Sequence, residues 1–535
     1  MRKLVYVPAE NQALARRSPW LLRVVALAIF VAAGAVSNMP AWGQSTPPSG
    51  DSQSQTTAHE KKEAQPASTA PVKHKWGPFD VSVSWRFRVE GWDWFNSGTG
   101  ENNYAFPHSL LRLGIGQTGE RLDWQVEAEQ VSVLGLPSGA VVATPQGQLG
   151  LGGTYYAANG NHPNNAYVFA KQAYLRIKNL DHATVRFGRF EYFDGTEVTP
   201  KDPTVATLVQ TRIAQRLIGN FGFSAVQRSF DGVQVGFNLG QDNLTILAAR
   251  PTRGVYQVNG MGELDVDLYY GALTVPVEYD GGAGELRVFG IGYVDHRRKL
   301  VKTDNRSAAS KCPKNPADCT MIEIGTYGAD YVAVFNTADA GKFNFLVWGA
   351  YQSGSWGNLT QRAGAFVGEA GWQPPVQKGK RWLSGGFSWG SGDDNPNDST
   401  HGTFFQILPT PRTYARFPFF NMENNQDFYG SLGLRPHPKL SIRSEGHALR
   451  LDQAADLWYL GGGAFQRRTF GYTGRPSGGH RSLANVWDIS ADTQVTPFFS
   501  VGLYYGYAWG KSVIQSIYPK DSSGQFAFIE TNFRY

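Results

Sequence analysis

Polar and apolar residues alternate one by one along stretch after stretch of this chain, most clearly near residues 80 and 530. In Asp80 to Glu90, DVSVSWRFRVE, one parity holds Val81, Val83, Trp85, Phe87 and Val89, and the other holds Asp80, Ser82, Ser84, Arg86, Arg88 and Glu90. In Gln525 to Tyr535, QFAFIETNFRY, Ala527, Ile529, Thr531, Phe533 and Tyr535 alternate with Phe528, Glu530, Asn532 and Arg534. A period of two is a strand with unlike faces. A soluble β-sandwich also has such strands, but its outer faces meet water, where Trp85, Phe87 and Phe533 are costly. A wall with lipid outside and water inside suits both faces. Pairing of these two strands closes the sheet.

The same pattern predicts about 18 strands, at 80–90, 109–117, 121–130, 168–178, 183–189, 230–238, 243–250, 264–274, 285–295, 323–335, 342–352, 362–372, 382–391, 426–434, 440–449, 485–495, 499–510 and 525–535. Asp456 to Leu460 is a further candidate. It is assigned to a loop, because a bacterial barrel needs an even number of strands. Gly119-Glu120, Asn179 to His182 and Thr496-Pro497 fit tight periplasmic turns, whereas 131–167, 190–229, 391–425 and 450–484 are too long for that side. The expected fold is all-β, a transmembrane antiparallel barrel wide enough for an aqueous channel.

Composition narrows the alternatives. Charged residues are 18%, aromatics 13%, and mean hydropathy is -0.34, which excludes a helical multispan transporter. Arg16, Arg17 and Arg23 precede an apolar run from Val24 to Val36 and a small-x-small site at Ala41-Trp42-Gly43. Residues 1–43 therefore read as a signal peptide, 44–76 as a disordered periplasmic linker of Pro, Ser, Thr, Gln and Lys, and 77–535 as the barrel. The expected location is the bacterial outer membrane after cleavage, with lipid and lipopolysaccharide around the wall. The leader holds five basic residues and one acid, so only +2 of the formal +6 belongs to the remainder. Nucleic-acid binding gets no support from that balance. Cys312 and Cys319, seven apart in a polar segment, are expected to form a disulfide closing a small outer loop; two thiols fall short of a zinc set.

Candidate chemistry lies in the loops and on the polar parity. Within Glu191 to Asp231 a helix is expected over 204–217, starting at Asp202-Pro203 and stopped by Gly219. If this loop folds inward, Lys201, Arg212, Arg216 and Arg228 form a basic constriction for anionic solutes; if outward, they are solvated surface. Wall parity adds Arg86, Arg88, Arg112, Arg176, Lys178, Arg186, Arg287, Arg443 and Arg534, offset by Asp123, Glu127, Glu129, Glu285, Glu445 and Glu530. The candidate pore set is Arg86, Arg88, Arg176, Lys201, Arg212, Arg216, Arg287 and Arg443. In His401 to Asn421, Arg412, Tyr414 and Arg416 among phenylalanines suit stacking against acidic sugars, or a packed plug. Asp393, Asp394 and Asp398 offer a weak calcium site or a solvated acidic turn. No cofactor is expected. Catalytic motifs and metal-spaced histidines are absent from the sequence, so the protein is read as a non-enzyme, with a non-contiguous rim site the remaining enzymatic option.

The stretches PQGQLGLGGTYYAANG at Pro145 to Gly160, GRFEYFDGTEVTPKD at Gly188 to Asp202, RIAQRLIGNFGFSAVQRSFDG at Arg212 to Gly232 and HGTFFQILPTPRTYARFPFFN at His401 to Asn421 resemble the alginate-export family of outer-membrane proteins over nearly all of residues 76–535. The resemblance implies a monomeric barrel of 18 strands that passes anionic alginate outward through an arginine-rich constriction. It also implies inward loops, a gating turn and contact with periplasmic export machinery. Three functions stay open: polyanion export, a general or uptake porin for small anions or oligosaccharides, and a plugged structural or adhesive barrel.

Overall fold

The computed structural model describes residues 74–180, 182–376, 379–419, 421–461 and 463–535. The signal peptide, residues 44–73 of the linker and Phe420 lie outside the described residues. Eighteen strands form one antiparallel wall: β1 (Phe79–Asp93), β2 (Asn103–Thr118), β3 (Leu122–Val133), β4 (Asn165–Leu180), β5 (Ala183–Phe190), β6 (Phe230–Leu239), β7 (Asp242–Pro251), β8 (Val266–Tyr279), β9 (Gly282–Asp295), β10 (Ile322–Thr337), β11 (Gly341–Trp356), β12 (Leu359–Gln373), β13 (Lys380–Gly390), β14 (Asn425–His437), β15 (Leu440–Arg450), β16 (Ser482–Thr496), β17 (Phe499–Gly510) and β18 (Ser523–Arg534). Each pairs with the next, and β18 pairs with β1, placing Trp85 opposite Phe533 and Arg88 opposite Glu530. The sheet is a closed barrel. Every strand that alternation predicts is present. His74–Trp76 is a short strand on β1, so the expected linker ends before residue 74.

Side chains divide by parity. Trp85, Phe345, Val347 and Tyr351 stand about half exposed on the outer surface, while Arg86, Arg88, Glu127, Glu129 and Glu445 are buried inside. Of the several register shifts among the described ladders, one puts two successive side chains in the interior. Between β3 and β4 the register steps from Glu127 opposite Gln172 to Ala128 opposite Ala170, leaving Lys171 as an extra residue. Such a bulge re-aims a side chain, and here Lys171 and Gln172 are both buried in the interior.

Short turns gather at one end, and all but one connection at the other end is longer; the exception is Gly357–Asn358 between β11 and β12. Asp456–Leu460 stays out of the wall, as expected: Leu457–Tyr459 pairs with Gly474–Pro476 inside a long-end loop. At the short-turn end the seam is locked by Val83 N–H donating to Tyr535 O at 2.6 Å and Tyr535 N–H donating to Val83 O at 2.8 Å. The His74 ring stacks on Tyr535 at 4.1 Å.

Deleting Tyr535 is expected to lower the folded fraction on a heat-modifiability gel, and an unchanged folded yield would count against its role in the seam. Val347→Arg, on the outer face near the middle of β11, is expected to destabilise the bilayer-inserted barrel by about 2–4 kcal/mol in a denaturant titration.

Candidate functional site

The site begins where a strand ends early. β5 has 8 residues against 16 for β4, so residues 191–229 leave the wall inside the barrel. Gly195, at φ +78°, turns the chain and brings Asp194 and Glu197 to 3.7 and 3.9 Å from Arg287 of β9. Arg287 also donates to Asp330 Oδ2 at 2.9 and 2.6 Å. Asp202 caps α1 (Pro203–Leu208), accepting from the N–H groups of Thr204 at 2.8 Å and Val205 at 2.9 Å. The helix loosens into a π turn over Val209–Ile213 and stops there, short of the 204–217 span that spacing predicts.

The tertiary partner explains the early stop. From residue 215 the chain joins the loop 391–424 in a parallel bridge: Leu408 N–H donates to Leu217 O at 2.8 Å, Gly219 N–H to Leu408 O at 2.9 Å, and Thr410 N–H to Gln215 O at 2.9 Å. Around it Leu217, Ile218, Phe404, Phe405, Ile407 and Leu408 are at most 1% exposed. The two loops thus build a small hydrophobic core within the barrel. They form a plug.

Wall arginines hold the plug. Arg86 donates to the carbonyls of Gly222, at 2.6 Å, and Ser224. Arg88 donates to Phe223 O at 2.9 Å and to Glu530 at 2.8 and 2.5 Å, with its guanidinium 4.4 Å over the Phe223 ring. Arg112 of β2 donates to Glu191 at 2.8 Å, and Lys171 Nζ lies 3.6 Å from the same carboxylate while donating to Arg228 O at 3.1 Å. Across the lumen, Arg212 sits 3.1 Å from both Glu369 of β12 and Glu445 of β15. Burial alone lifts the Glu191 carboxyl, but Arg112 and Lys171 hold it down to about 2. Burial pushes Arg228 down to about 9, and none of its three guanidinium nitrogens has a hydrogen-bond partner among the described residues. Arg216 lies over the Tyr414 ring at 4.0 Å and the Trp348 ring at 5.3 Å.

Several expected site residues fall elsewhere. Lys201 is exposed and 3.1 Å from exposed Glu278, and Arg176 donates to Asp123 at 2.7 Å; both lie toward the short turns, outside the plug. Arg412 and Tyr414 are buried in the plug: Arg412 donates to the carbonyls of Ala415 at 3.2 Å and Phe417 at 2.5 Å, and the Tyr414 hydroxyl donates to the carbonyls of Ile213 at 3.0 Å and Ala214 at 2.6 Å. The phenylalanine-rich loop buries both, as in the packed plug that its composition also suits. Arg416, 3.7 Å from Asp492, and Arg443, 2.5 Å from Glu445, keep about a quarter of their side-chain surface. Asp393 and Asp398 cap their own loop, accepting from Gly402 N–H at 2.9 Å and Thr400 N–H at 2.7 Å. Cys312 and Cys319 form the expected disulfide.

One group escaped the sequence reading. At the long-loop end a cavity of about 440 Å³ is lined by His296, Arg297, Arg298, Lys299, Arg467 and Arg468, with Asp265 the carboxylate beside them. Arg297 ties the two contributing loops, binding Asp295 at 2.8 and 2.6 Å and donating to Thr469 O at 2.9 Å and to Gln466 O. Two separate Arg-Arg pairs, 170 residues apart in HRRK and QRRT, carried the signal.

Wall, seam and inward loops define an outer-membrane β-barrel whose interior is occupied by its own loops. The chain matches the family described as Alginate export over residues 78–510, and it belongs to that family. Comparison with curated protein sequences found no match. Among solved structures, Pseudomonas aeruginosa OccK9 (OpdG) is 10% identical with a TM-score of 0.50, covering 85% of this chain and 97% of its own. Acinetobacter baumannii OccAB1 is 10% identical with a TM-score of 0.48, covering 85% and 96%. Pseudomonas aeruginosa OpdK with vanillate is 8% identical with a TM-score of 0.47, covering 85% and 98%. At these identities the likeness concerns the barrel fold alone.

The Glu191 anchor sets a pH window. A carboxyl held below its unfolded value contributes stability above about pH 4.5, lost as pH falls toward 2. Hydrogen exchange within 191–229 is therefore expected to accelerate between those values, whereas Glu191→Gln is expected to exchange faster at pH 7 and to lack most of the acid step.

Proposed function

We propose that this protein is a passive outer-membrane channel for small organic anions, acidic saccharides among them, with its long-loop end outside the cell and its short turns in the periplasm. The observation that carries this reading is the basic cup at the long-loop end. Its volume is in the range of small-molecule sites, and exposed Arg298, Lys299, Arg467 and Arg468 outnumber Asp265. Such a mouth concentrates anions by electrostatic steering. Deeper in, Arg216, over Tyr414 and Trp348, and Arg228, with no side-chain acceptor, extend the positive character, whereas Arg88, Arg112, Arg212 and Arg287 are matched by carboxylates.

A second reading, outward passage of an anionic polysaccharide such as alginate, is favoured by membership of the Alginate export family. It requires the two-loop plug to yield to a polymer.

Planar-bilayer recordings separate the two. Under a salt gradient the small-anion reading expects an anion-selective reversal potential that moves toward zero in R467Q/R468Q, and block by acidic mono- and disaccharides added at the long-loop side. Block only by long mannuronate chains from the short-turn side points to export. Cation selectivity would overturn both.

A further inference from the structure

On the inner wall against the plug, Glu445, His447 and Asp488 each offer a ligand atom within 4.8 Å of the others, the one group of this kind among the described residues. Glu445 and His447 are two apart on β15, hence on one face, and Asp488 of β16 lies directly opposite Glu445 in the ladder. All three are buried. Among the described residues only one ring nitrogen of His447 is bonded: Nδ1 bonds Asp427 Oδ2 at 2.8 Å, and Nε2, fully buried, has no hydrogen-bond partner there. A carboxylate on one nitrogen is the arrangement that orients a ligating imidazole and presents the other.

Formal charge points the same way. Four carboxylates (Glu369, Asp427, Glu445 and Asp488) meet two guanidiniums, Arg212 between Glu369 and Glu445 and Arg443 on Glu445. Arg416 nearby is matched by Asp492. Even a protonated His447 leaves the group negative, and buried charge needs compensation.

We propose that Glu445, His447 and Asp488 bind a first-row divalent metal ion, Zn²⁺ being the best fit to one imidazole and two carboxylates. Donors around a tetrahedral zinc sit about 3.4 Å apart at the usual bond lengths, so the three close in slightly on binding. Glu445 is also the partner of Arg212, so the ion and the plug share one carboxylate. Metal binding loosens one plug anchor.

The test uses the full mature chain, refolded in detergent without lipopolysaccharide and stripped with chelator. Calorimetric titration with Zn²⁺, checked by elemental analysis, is expected to give one ion per chain, bound at least 100-fold more tightly than Ca²⁺. His447→Gln and Asp488→Asn are expected to lose tenfold or more, Asp427→Asn to lose 10- to 100-fold, and His480→Gln in the 451–481 loop to leave zinc affinity unchanged. Should the wall variants fail to fold, X-ray absorption of the zinc-loaded wild type decides: one imidazole with oxygen donors supports the site, and any other shell overturns it. No saturable zinc, or equal affinity in folded His447→Gln, would overturn the site.

Discussion

Every backbone group in a lipid-facing wall must find its partner within the wall, because hydrocarbon offers none. The pairing of β1 with β18 meets that demand at the one place where sequence neighbours cannot. It joins residues separated by almost the whole barrel, Trp85 to Phe533 and Val83 to Tyr535. Alternation, the even strand count and the grouping of short turns at one end follow from closure. An open edge at that seam would expose unpaired amides and carbonyls to lipid or to another chain.

Closure also creates an interior with its own problem. A barrel of this circumference encloses more space than its inward side chains fill, and the shortness of β5 sends a loop into that space. The loop does not fill it as loose chain. It pairs with a second loop, buries an apolar core, and presents backbone carbonyls to Arg86 and Arg88 and carboxylates to Arg112 and Arg287. Arginines that look like pore lining in the sequence are to that extent fastenings, and the positive charge left over is concentrated at Arg216, Arg228 and the outer cup.

The wall was legible because a period of two is written locally. Trp85 and Phe87 against Arg86 and Arg88 need no distant information. The exception is instructive: Lys171 reaches the interior through a bulge, and parity counted from either end of β4 does not reveal an extra residue. The helix after Asp202 was legible in its cap and not in its length, since the partner that ends it is Leu408, about 190 residues away. Tyr414 reads as a binding group for the same reason: nothing near it in sequence says that the carbonyls of residues 213–214 will take its hydroxyl. Likewise Glu445, His447 and Asp488 meet across a ladder, and a search for ligands at helical spacing passes over a pair two apart on a strand.

The plug touches β1, β2, β9, β12 and β15, which are spread around the wall. Those contacts act as a gauge of circumference. With two strands fewer or more, Arg287, Glu369 and Glu445 would no longer stand where the plug reaches them, so the correct size is favoured from within as well as by the seam. The 217–408 bridge ties the loop after β5 to the loop after β13, so the gauge joins the two halves of the chain across the interior.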